Sequence, residues 1–225
     1  MSTTPRGPLL AIDTATSQAV VAVERPGAQP AVVSWPAGQR HGEELLEAIE
    51  GLLGAAGIEP GELGGIVVGT GPGAFTGLRV GLATAKGLAH ALGLPIVGIA
   101  TGTALLASAD GPAGLPRILL LPAGPRDRVI VDGDGVRLLA AGTEPAVPPG
   151  TELLAVDLDG RAPAGALARG REARSRLGPT LLRLATARLA SGAADDLARL
   201  VPEYVSLPRG VTSLTGSIEW SRDLR

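Results

Sequence analysis

A glycine-rich segment at residues 69–81 constrains the fold of this 225-residue chain more than any other feature. It reads GTGPGAFTGLRVG and lies between an apolar run, residues 66–68, and a helical pattern that continues to about Leu92. Glycine permits positive φ and lets another backbone or a ligand approach closely. The segment therefore predicts a strand-to-helix connection that either cradles a phosphate or allows two helices to pack in tight contact.

Neither of the two familiar phosphate-binding loops fits this segment. Gly69, Gly71 and Ala74 formally match the dinucleotide fingerprint, but that motif also needs an acidic residue after the next strand, and residues 96–102 contain none. The P-loop pattern needs Gly-Lys-Ser/Thr at the start of a helix, whereas the single lysine, Lys86, is followed by glycine. The sequence therefore favours a packing role for these glycines.

Small residues recur every four positions in the helix predicted after this segment. Gly77, Gly81, Ala85 and Ala89 share one face at that spacing. Such a stripe allows close approach of another element, either a helix of the same chain or a helix of a partner. The spacing alone leaves both interpretations open.

Composition excludes several classes of function. The chain is 45% apolar with 2% aromatic residues, so its core must be aliphatic, and it has no cysteine for a disulfide scaffold or thiolate chemistry. A formal net charge of −2 argues against a large basic face for nucleic acid. No apolar run is long enough to span a bilayer, and the polar N-terminus shows no secretory signal. We therefore expect a soluble cytoplasmic protein with no membrane contact.

Hydrophobic periodicity predicts a strand-strand-strand-helix-strand-helix-strand-helix order for the first half, which implies a mixed sheet. Its predicted strands lie at residues 9–12, 20–23, 32–35, 66–68 and 96–99, and its predicted helices at 42–56, after the glycine segment to 92, and at 103–109. The second half predicts short strands at 118–121, 129–131, 136–139 and 153–156, with helices at 177–189 and 195–200. We expect a first lobe at 8–109, a second lobe at 110–208 and a loose tail at 209–225, and no sequence repeat is visible.

Three segments of the first half resemble the bacterial TsaB family, also called YeaZ. These segments are LAIDTAT at residues 10–16, HGEELL at 41–46 and the glycine-rich run at 69–81. The resemblance extends over residues 9–106. It implies the α/β actin/Hsp70/sugar-kinase-like (ASKHA) fold, in which two lobes each hold a mixed sheet with flanking helices, the second lobe being reduced.

The resemblance also implies a function. TsaB-like chains are non-catalytic partners that bind the TsaD paralogue through first-lobe helices, act with the ATPase TsaE, and support transfer of a threonylcarbamoyl group to the adenosine beside the anticodon of tRNA. We therefore expect no cofactor within the chain, ATP or ADP at the complex interface, contact with tRNA only through the complex, and a homodimer through the same face. The partner-facing residues expected from this resemblance are His41, Leu45, Gly73, Phe75, Thr76, Gly77, Arg79, Gly81 and Ala85.

An alternative function is an ATP-hydrolysing or sugar-kinase-like enzyme that uses Asp13 and the loop at 69–81. In nucleotide-binding members of the fold an aspartate at this turn helps to hold the metal and phosphate, and Thr14 and Thr16 are further candidate contacts. The other interpretation makes Asp13 a turn former whose carboxylate binds the backbone two residues on. Residues 121–130 lack the acid, glutamate and tyrosine that the family tends to carry there, which favours the second interpretation.

Catalytic metal chemistry finds little support in the residue inventory. A histidine pair one helical turn apart could share a metal ion, but His41 and His90 fall in different predicted helices. We therefore predict no metal site.

Overall fold

The computed structural model describes residues 7–37, 41–110 and 114–205 of the chain. The first part contains β1 (Leu9–Asp13), β2 (Gln18–Glu24), β3 (Ala31–Pro36), α1 (His41–Ala55), β4 (Gly65–Gly69), α2 (Phe75–Leu92), β5 (Ile96–Ile99) and α3 (Thr101–Ser108). The second part contains β6 (Arg117–Ala123), β7 (Asp127–Asp132), β8 (Gly135–Leu139), β9 (Glu152–Ala155), α4 (Ala164–Ser175) and α5 (Leu177–Ala190). The predicted order of elements in the first half is confirmed.

Two mixed sheets organise these elements. The first sheet has the strand order β3-β2-β1-β4-β5, in which β1 pairs antiparallel with β2 and parallel with β4. The second sheet has the order β8-β7-β6-β9, in which β6 pairs antiparallel with β7 and parallel with β9. The second sheet therefore repeats the first without its fifth strand. This architecture confirms the two-lobed ASKHA-like class with a reduced second lobe, and it reveals a structural repeat that the sequence does not show.

The apolar core has a part on each side of the first sheet. Its outer face packs against α1 and α2 through a cluster that includes Leu10, Ile12, Leu45 and Ile66. Its inner face meets the second sheet through α3 and α5, in a cluster drawn from both lobes. A smaller cluster around Leu120 lies on the other face of the second sheet. The odd-numbered and even-numbered side chains of each buried strand therefore point into different core clusters, because successive side chains of a pleated strand point to opposite faces of the sheet.

Helix α5 crosses the predicted boundary between lobes. It follows the second sheet in the sequence but packs against β1, β2, β4 and β5 of the first sheet. A Cβ added at Gly178 would lie 2.8 Å from the Cβ of Ala22, so this glycine lets the helix approach β2 closely. The bounds 8–109 and 110–208 stay a prediction, and this helix joins the first sheet although it lies in the second range. The predicted tail at 209–225 lies outside the described residues.

One predicted helix of the second half is wrong, and one observed helix was not predicted. Residues 195–200 do not form a helix, because Asp195 pairs with edge strand β5: its N–H donates to the Ile96 carbonyl and its carboxylate accepts from Gly98 N–H at 2.7 Å. Helix α4 was not predicted, because its buried side is made of Ala166, Gly170 and Ala173, which give almost no hydrophobic period.

No helix in the described part of the chain combines the length and apolar character needed to cross a membrane.

Candidate functional site

The turn between β1 and β2 encloses Asp13, the acid that the sequence singles out. Asp13 is fully buried, its Oδ1 accepts from Ala15 N–H at 2.9 Å, and its Oδ2 accepts from the Thr101 hydroxyl at 2.7 Å. A Cβ added at Gly69 would overlap this carboxylate, so the glycine makes room for it. The structure therefore supports the turn-former interpretation, in which the aspartate binds the backbone two residues on.

Burial also changes the acidity of this carboxyl group. It raises the pKa of Asp13 from its ordinary value of 3.8 to about 6, and the hydrogen bonds from Ala15 and Thr101 oppose that rise. The Thr101 oxygen accepts in turn from Gly71 N–H at 3.1 Å, so the carboxyl group is linked to the glycine loop. A carboxyl group held in this way organises the loop and has no free lone pair facing solvent.

The two threonines of the same turn are also used within the chain. The Thr14 hydroxyl donates to the Gly77 carbonyl at 2.7 Å, and the Thr16 hydroxyl donates to the Gln18 carbonyl at 2.9 Å. Both side chains are buried. The folded turn closes over Asp13, Thr14 and Thr16, and their nucleotide or phosphate contacts stay a prediction.

The small-residue stripe of α2 faces this turn. A Cβ at Gly77 would overlap the Thr14 carbonyl oxygen, and a Cβ at Gly81 would overlap the Thr14 hydroxyl. Ala85 continues the stripe and is fully buried. The stripe lets the helix lie directly on the β1–β2 turn, which supports the intramolecular interpretation, and its contact with another chain stays a prediction.

Two further residues expected at the partner face are used inside the lobe. Leu45 is fully buried in the core beneath α1 and α2. A Cβ at Gly73 would overlap the Ala15 carbonyl, which accepts from Ala74 N–H at 2.7 Å. These residues hold the glycine loop and α1 in place. His41 begins α1, and its side chain lies outside what the structure describes.

The first turn of α2 carries an aromatic and cationic cluster that the sequence does not reveal. Arg79 lies over the Phe75 ring, with its guanidinium carbon 3.7 Å from the centroid, and its Nε donates to the Tyr204 hydroxyl at 2.9 Å. The two rings lie 5.1 Å apart. Glu203 N–H donates to the Thr70 carbonyl, so residues 203–205 lie across the glycine loop. Thr76 and Arg79 are exposed, and their partner role stays a prediction.

A cleft of about 510 Å³ lies between the lobes beside this cluster. Among the described residues, its charged lining groups are Asp157 and Glu203, and no basic side chain lines it. Asp13 is not part of the lining. A polyanionic phosphate ester would meet acidic groups here and no cation, so the arrangement is unlike a nucleotide-phosphate site.

The outer surface of α1 and α2 has an unusual property that the sequence does not show. Gly42, Gly51 and Gly54 of α1 and Gly87 of α2 lie within helices, and apart from the neighbouring residues and backbone of the same helix no described atom lies within 4 Å of the place where a Cβ would be. None of them has positive φ. On α2 the outward stripe consists of Thr76, Val80, Ala83, Gly87 and Ala91. Small residues therefore line a helix face that packs against no other element in the described part of the chain.

A groove of about 510 Å³ runs between α1 and α2 on this surface. Its floor is apolar, and its walls include Leu46, Glu50 and Gly54 from α1 and Leu88 and Leu92 from α2. Leu46 is 54% exposed. We call this region, the groove together with the outward stripe of α2, the outer helix face.

The described part of the chain contains no cluster of side chains that could bind a metal ion. No group of three or more histidine, cysteine, aspartate or glutamate side chains lies close enough there to hold an ion.

Comparison with known proteins places this architecture in a family. A family model described as TsaD, tRNA N6-adenosine threonylcarbamoyltransferase, matches residues 11–166, which is more than half of the chain. The chain is 32% identical over 111 residues to the tRNA threonylcarbamoyladenosine biosynthesis protein TsaB of Escherichia coli (strain K12), covering 49% of this chain and 48% of that protein. It is 35% identical over 101 residues to the TsaB protein of Haemophilus influenzae, covering 45% and 42%.

The chain thus spans about half the length of the curated relatives it matches. A solved structure of YeaZ from Pseudomonas aeruginosa matches it with a TM-score of 0.68 at 24% identity, covering 88% of this chain and 99% of that one. This match shows that the two-lobed fold is shared over nearly the whole length. The chain belongs to the family that the TsaD model describes, and within it to the TsaB (YeaZ) members.

Proposed function

We propose that this chain is a non-catalytic subunit that pairs with a TsaD paralogue through the outer helix face. In that role it supports transfer of a threonylcarbamoyl group to the adenosine beside the anticodon of tRNA. The observation that carries the proposal is the pair of open helix glycines on this face, Gly54 in the groove wall and Gly87 in the outward stripe, which no contact within the described chain explains.

Each of these glycines lowers the stability of its helix, and no contact with a described residue offsets that loss. A glycine inside a helix destabilises it by about 0.5–1 kcal/mol relative to alanine. Close packing offsets that cost for Gly77 and Gly81, which lie against Thr14. For the open glycines no described residue provides such a contact, and close approach of a partner helix would provide it.

A paralogue is the partner that this geometry favours. The family model places this chain in the same family as TsaD, so a TsaD subunit offers a related pair of first-lobe helices. Two related subunits can meet through equivalent faces around an approximate two-fold axis. The same reasoning allows a homodimer through the outer helix face when the paralogue is absent.

Charge on α1 adds a requirement for the partner. Glu43, Glu47 and Glu50 lie on the exposed side of this helix. A partner face with lysine or arginine opposite them would associate faster and more selectively than a neutral one. We therefore expect pairing to weaken as ionic strength rises.

A non-catalytic role is supported by the state of the residues that an enzyme would use. Asp13 is enclosed by the turn, and the inter-lobe cleft presents no basic side chain from the described residues. Both observations count against the ATP-hydrolysing or sugar-kinase-like alternative. We place no cofactor in this chain, and ATP or ADP at the interface, a contact with TsaE, and tRNA binding through the complex remain parts of the proposal.

The test compares two arginine variants at exposed helix alanines. Ala83→Arg puts a long cation in the outward stripe of α2, whereas Ala168→Arg makes the same change on the exposed side of α4. Calorimetric titration with the TsaD paralogue of the same organism should show a loss of affinity of about 30-fold or more for Ala83→Arg, as at the centre of an interface. Ala168→Arg should pair like the parent chain.

Two outcomes would overturn the proposal. Equal affinities for both variants would remove the outer helix face from the interface. A tRNA modification assay with TsaD and TsaE that proceeds equally well without this chain would remove its supporting role. Both variants must keep the thermal stability of the parent chain for the comparison to count.

A further inference from the structure

The connection after β9 brings a second-lobe carboxylate into the first-lobe turn. Asp157 follows β9 by two residues and has φ +58°, which no other non-glycine residue among those described shares within the positive-φ region. This left-handed conformation is uncommon for residues with a Cβ, and aspartate is among the few types that adopt it. The conformation directs the side chain at Ser17, which lies 140 residues earlier.

Three donors converge on this one carboxylate. Ser17 N–H donates to Oδ2 at 2.6 Å, the Ser17 hydroxyl donates to Oδ1, and Arg174 Nη1 donates to Oδ1 at 2.6 Å. Arg174 also donates to the Ser17 hydroxyl oxygen at 3.1 Å. The side chains of Asp157 and Arg174 are each 14% exposed. A backbone amide, a hydroxyl and a guanidinium directed at one point form the donor set that proteins use for oxyanions.

The position of this donor set relates it to the cleft between the lobes. Asp157 lines that cleft together with Ala15 and Gly73 of the first lobe. An oxyanion that entered the cleft would therefore find the donors already bound to the carboxylate. Ser17 and Arg174 come from the first and second lobes, so the same carboxylate also joins the lobes.

We propose that Ser17 and Arg174, which bind the Asp157 carboxylate but do not line the cleft, form an oxyanion site beside it, and that the chain's own Asp157 carboxylate occupies this site as a latch between the lobes. The latch holds the β1–β2 turn against the second lobe and keeps small phosphates and carboxylates away from these donors. This inference goes beyond the pairing function and does not depend on it.

The test removes the carboxylate and leaves the donors. Asp157→Gly suits φ +58° because glycine adopts this conformation without a Cβ. Inorganic phosphate or acetate is titrated against sodium chloride of equal ionic strength, while the Ser17 amide signal is followed by NMR. Asp157→Gly should show a saturable shift with either anion and a saturable rise in Tm. The parent chain and Asp159→Gly, which removes an exposed carboxylate two residues away, should show neither.

A second substitution tests whether Arg174 is one of the donors that bind the anion. Adding Arg174→Met to Asp157→Gly should abolish the saturable response. The proposal is overturned if Asp157→Gly responds no differently from the parent chain, or if the parent chain binds either anion equally well. Should Asp157→Gly fail to fold, Asp157→Asn keeps the side-chain shape without its charge. Amide exchange at Ser17 must then be faster than in the parent chain, and unchanged exchange contradicts the latch.

Discussion

On the inner face of α2, Gly77 and Gly81 lie against Thr14 of the same chain, and any added side chain would overlap it. On the outer face Gly87 has, apart from the neighbouring residues and backbone of its own helix, no atom of the described residues within 4 Å of the place where a Cβ would lie. The inner glycines are required by the fold, because only they let α2 reach the β1–β2 turn. The outer glycine is not required by any contact among the described residues, and we propose a use for it in a complex.

The comparison shows why small residues at helical spacing have no fixed meaning. Gly77, Gly81 and Ala85 form one stripe, and Ala83, Gly87 and Ala91 form another on the same helix. The first is buried because the turn after β1 lies beneath it, and the second is exposed because no described element packs over it. Whether a stripe of small residues is buried or exposed therefore depends on the element packed against it.

The largest expected effect is on the inner face. Gly81→Leu must displace Thr14 or separate α2 from the first sheet, because the new Cβ alone would overlap the Thr14 hydroxyl. We expect a loss of about 3 kcal/mol in the free energy of unfolding, at the upper end for overpacking a core. At this chain length that loss lowers Tm by roughly 6–12 °C. The matched variant Gly87→Leu should lose no stability in the same thermal unfolding experiment. Equal losses for the two variants would show that the inner and outer faces of α2 do not differ in packing.

The turn beneath the inner face gives a prediction about pH. The pKa of Asp13 is about 6 in the folded chain and near 3.8 when unfolded, so the folded state binds this proton more tightly. Stability from this group is therefore present at low pH and falls as pH rises from about 4 to 6. The full change is about 3 kcal/mol, at 1.36 kcal/mol for each pKa unit.

Asp13→Asn isolates that contribution, because the amide has no charge to desolvate. The difference in unfolding free energy between Asp13→Asn and the parent chain should move by about 3 kcal/mol in favour of the variant between pH 4 and pH 7. Urea denaturation at several pH values measures it. If the unfolding free energies of the two chains vary in parallel with pH, burial does not raise the pKa of Asp13. Asp13 would then again be a candidate ligand-binding group.

The smallest expected effect is on the outer face. Gly87→Ala adds a methyl group into open space and improves helix propensity, so we expect a gain of about 0.5–1 kcal/mol in the free chain. If a partner helix approaches closely there, the same methyl group should weaken pairing with TsaD. A gain in stability together with a loss of affinity would support close packing of a partner helix at Gly87. Unchanged affinity would indicate that the partner approaches most closely at α1 instead.

The pattern of apolar residues was sufficient for most of the fold. Strand β5 was predicted at its observed residues, and α5 nearly so, because strong periods end at clear turn residues. Helix α4 gave no such signal, since its buried side is small and its other side is rich in arginine. Asp195 was assigned to a helix because pairing with a distant edge strand leaves no local pattern.

The candidate site was predicted less well than the fold. The sequence identified Asp13 and its interpretation as a turn former, because that hydrogen bond is local and spans two residues. It did not reveal that Leu45, Gly77, Gly81 and Ala85 are buried within the chain, because that burial depends on non-local neighbours. The cluster of Phe75, Arg79 and Tyr204 joins residues that lie 125 positions apart, so no spacing rule could identify it.

By itself, the sequence determined the mixed α/β class, the order of the first-lobe elements and the family, since these depend on local period and on a contiguous glycine motif. The tertiary structure alone decided which face of α2 is free and that Asp157 meets Ser17. Helical spacing specifies that residues share a face, but it carries no information about what lies opposite. That neighbour is set by chain segments brought together when the two sheets close on their common core, and its consequences for burial and binding follow only from the folded whole.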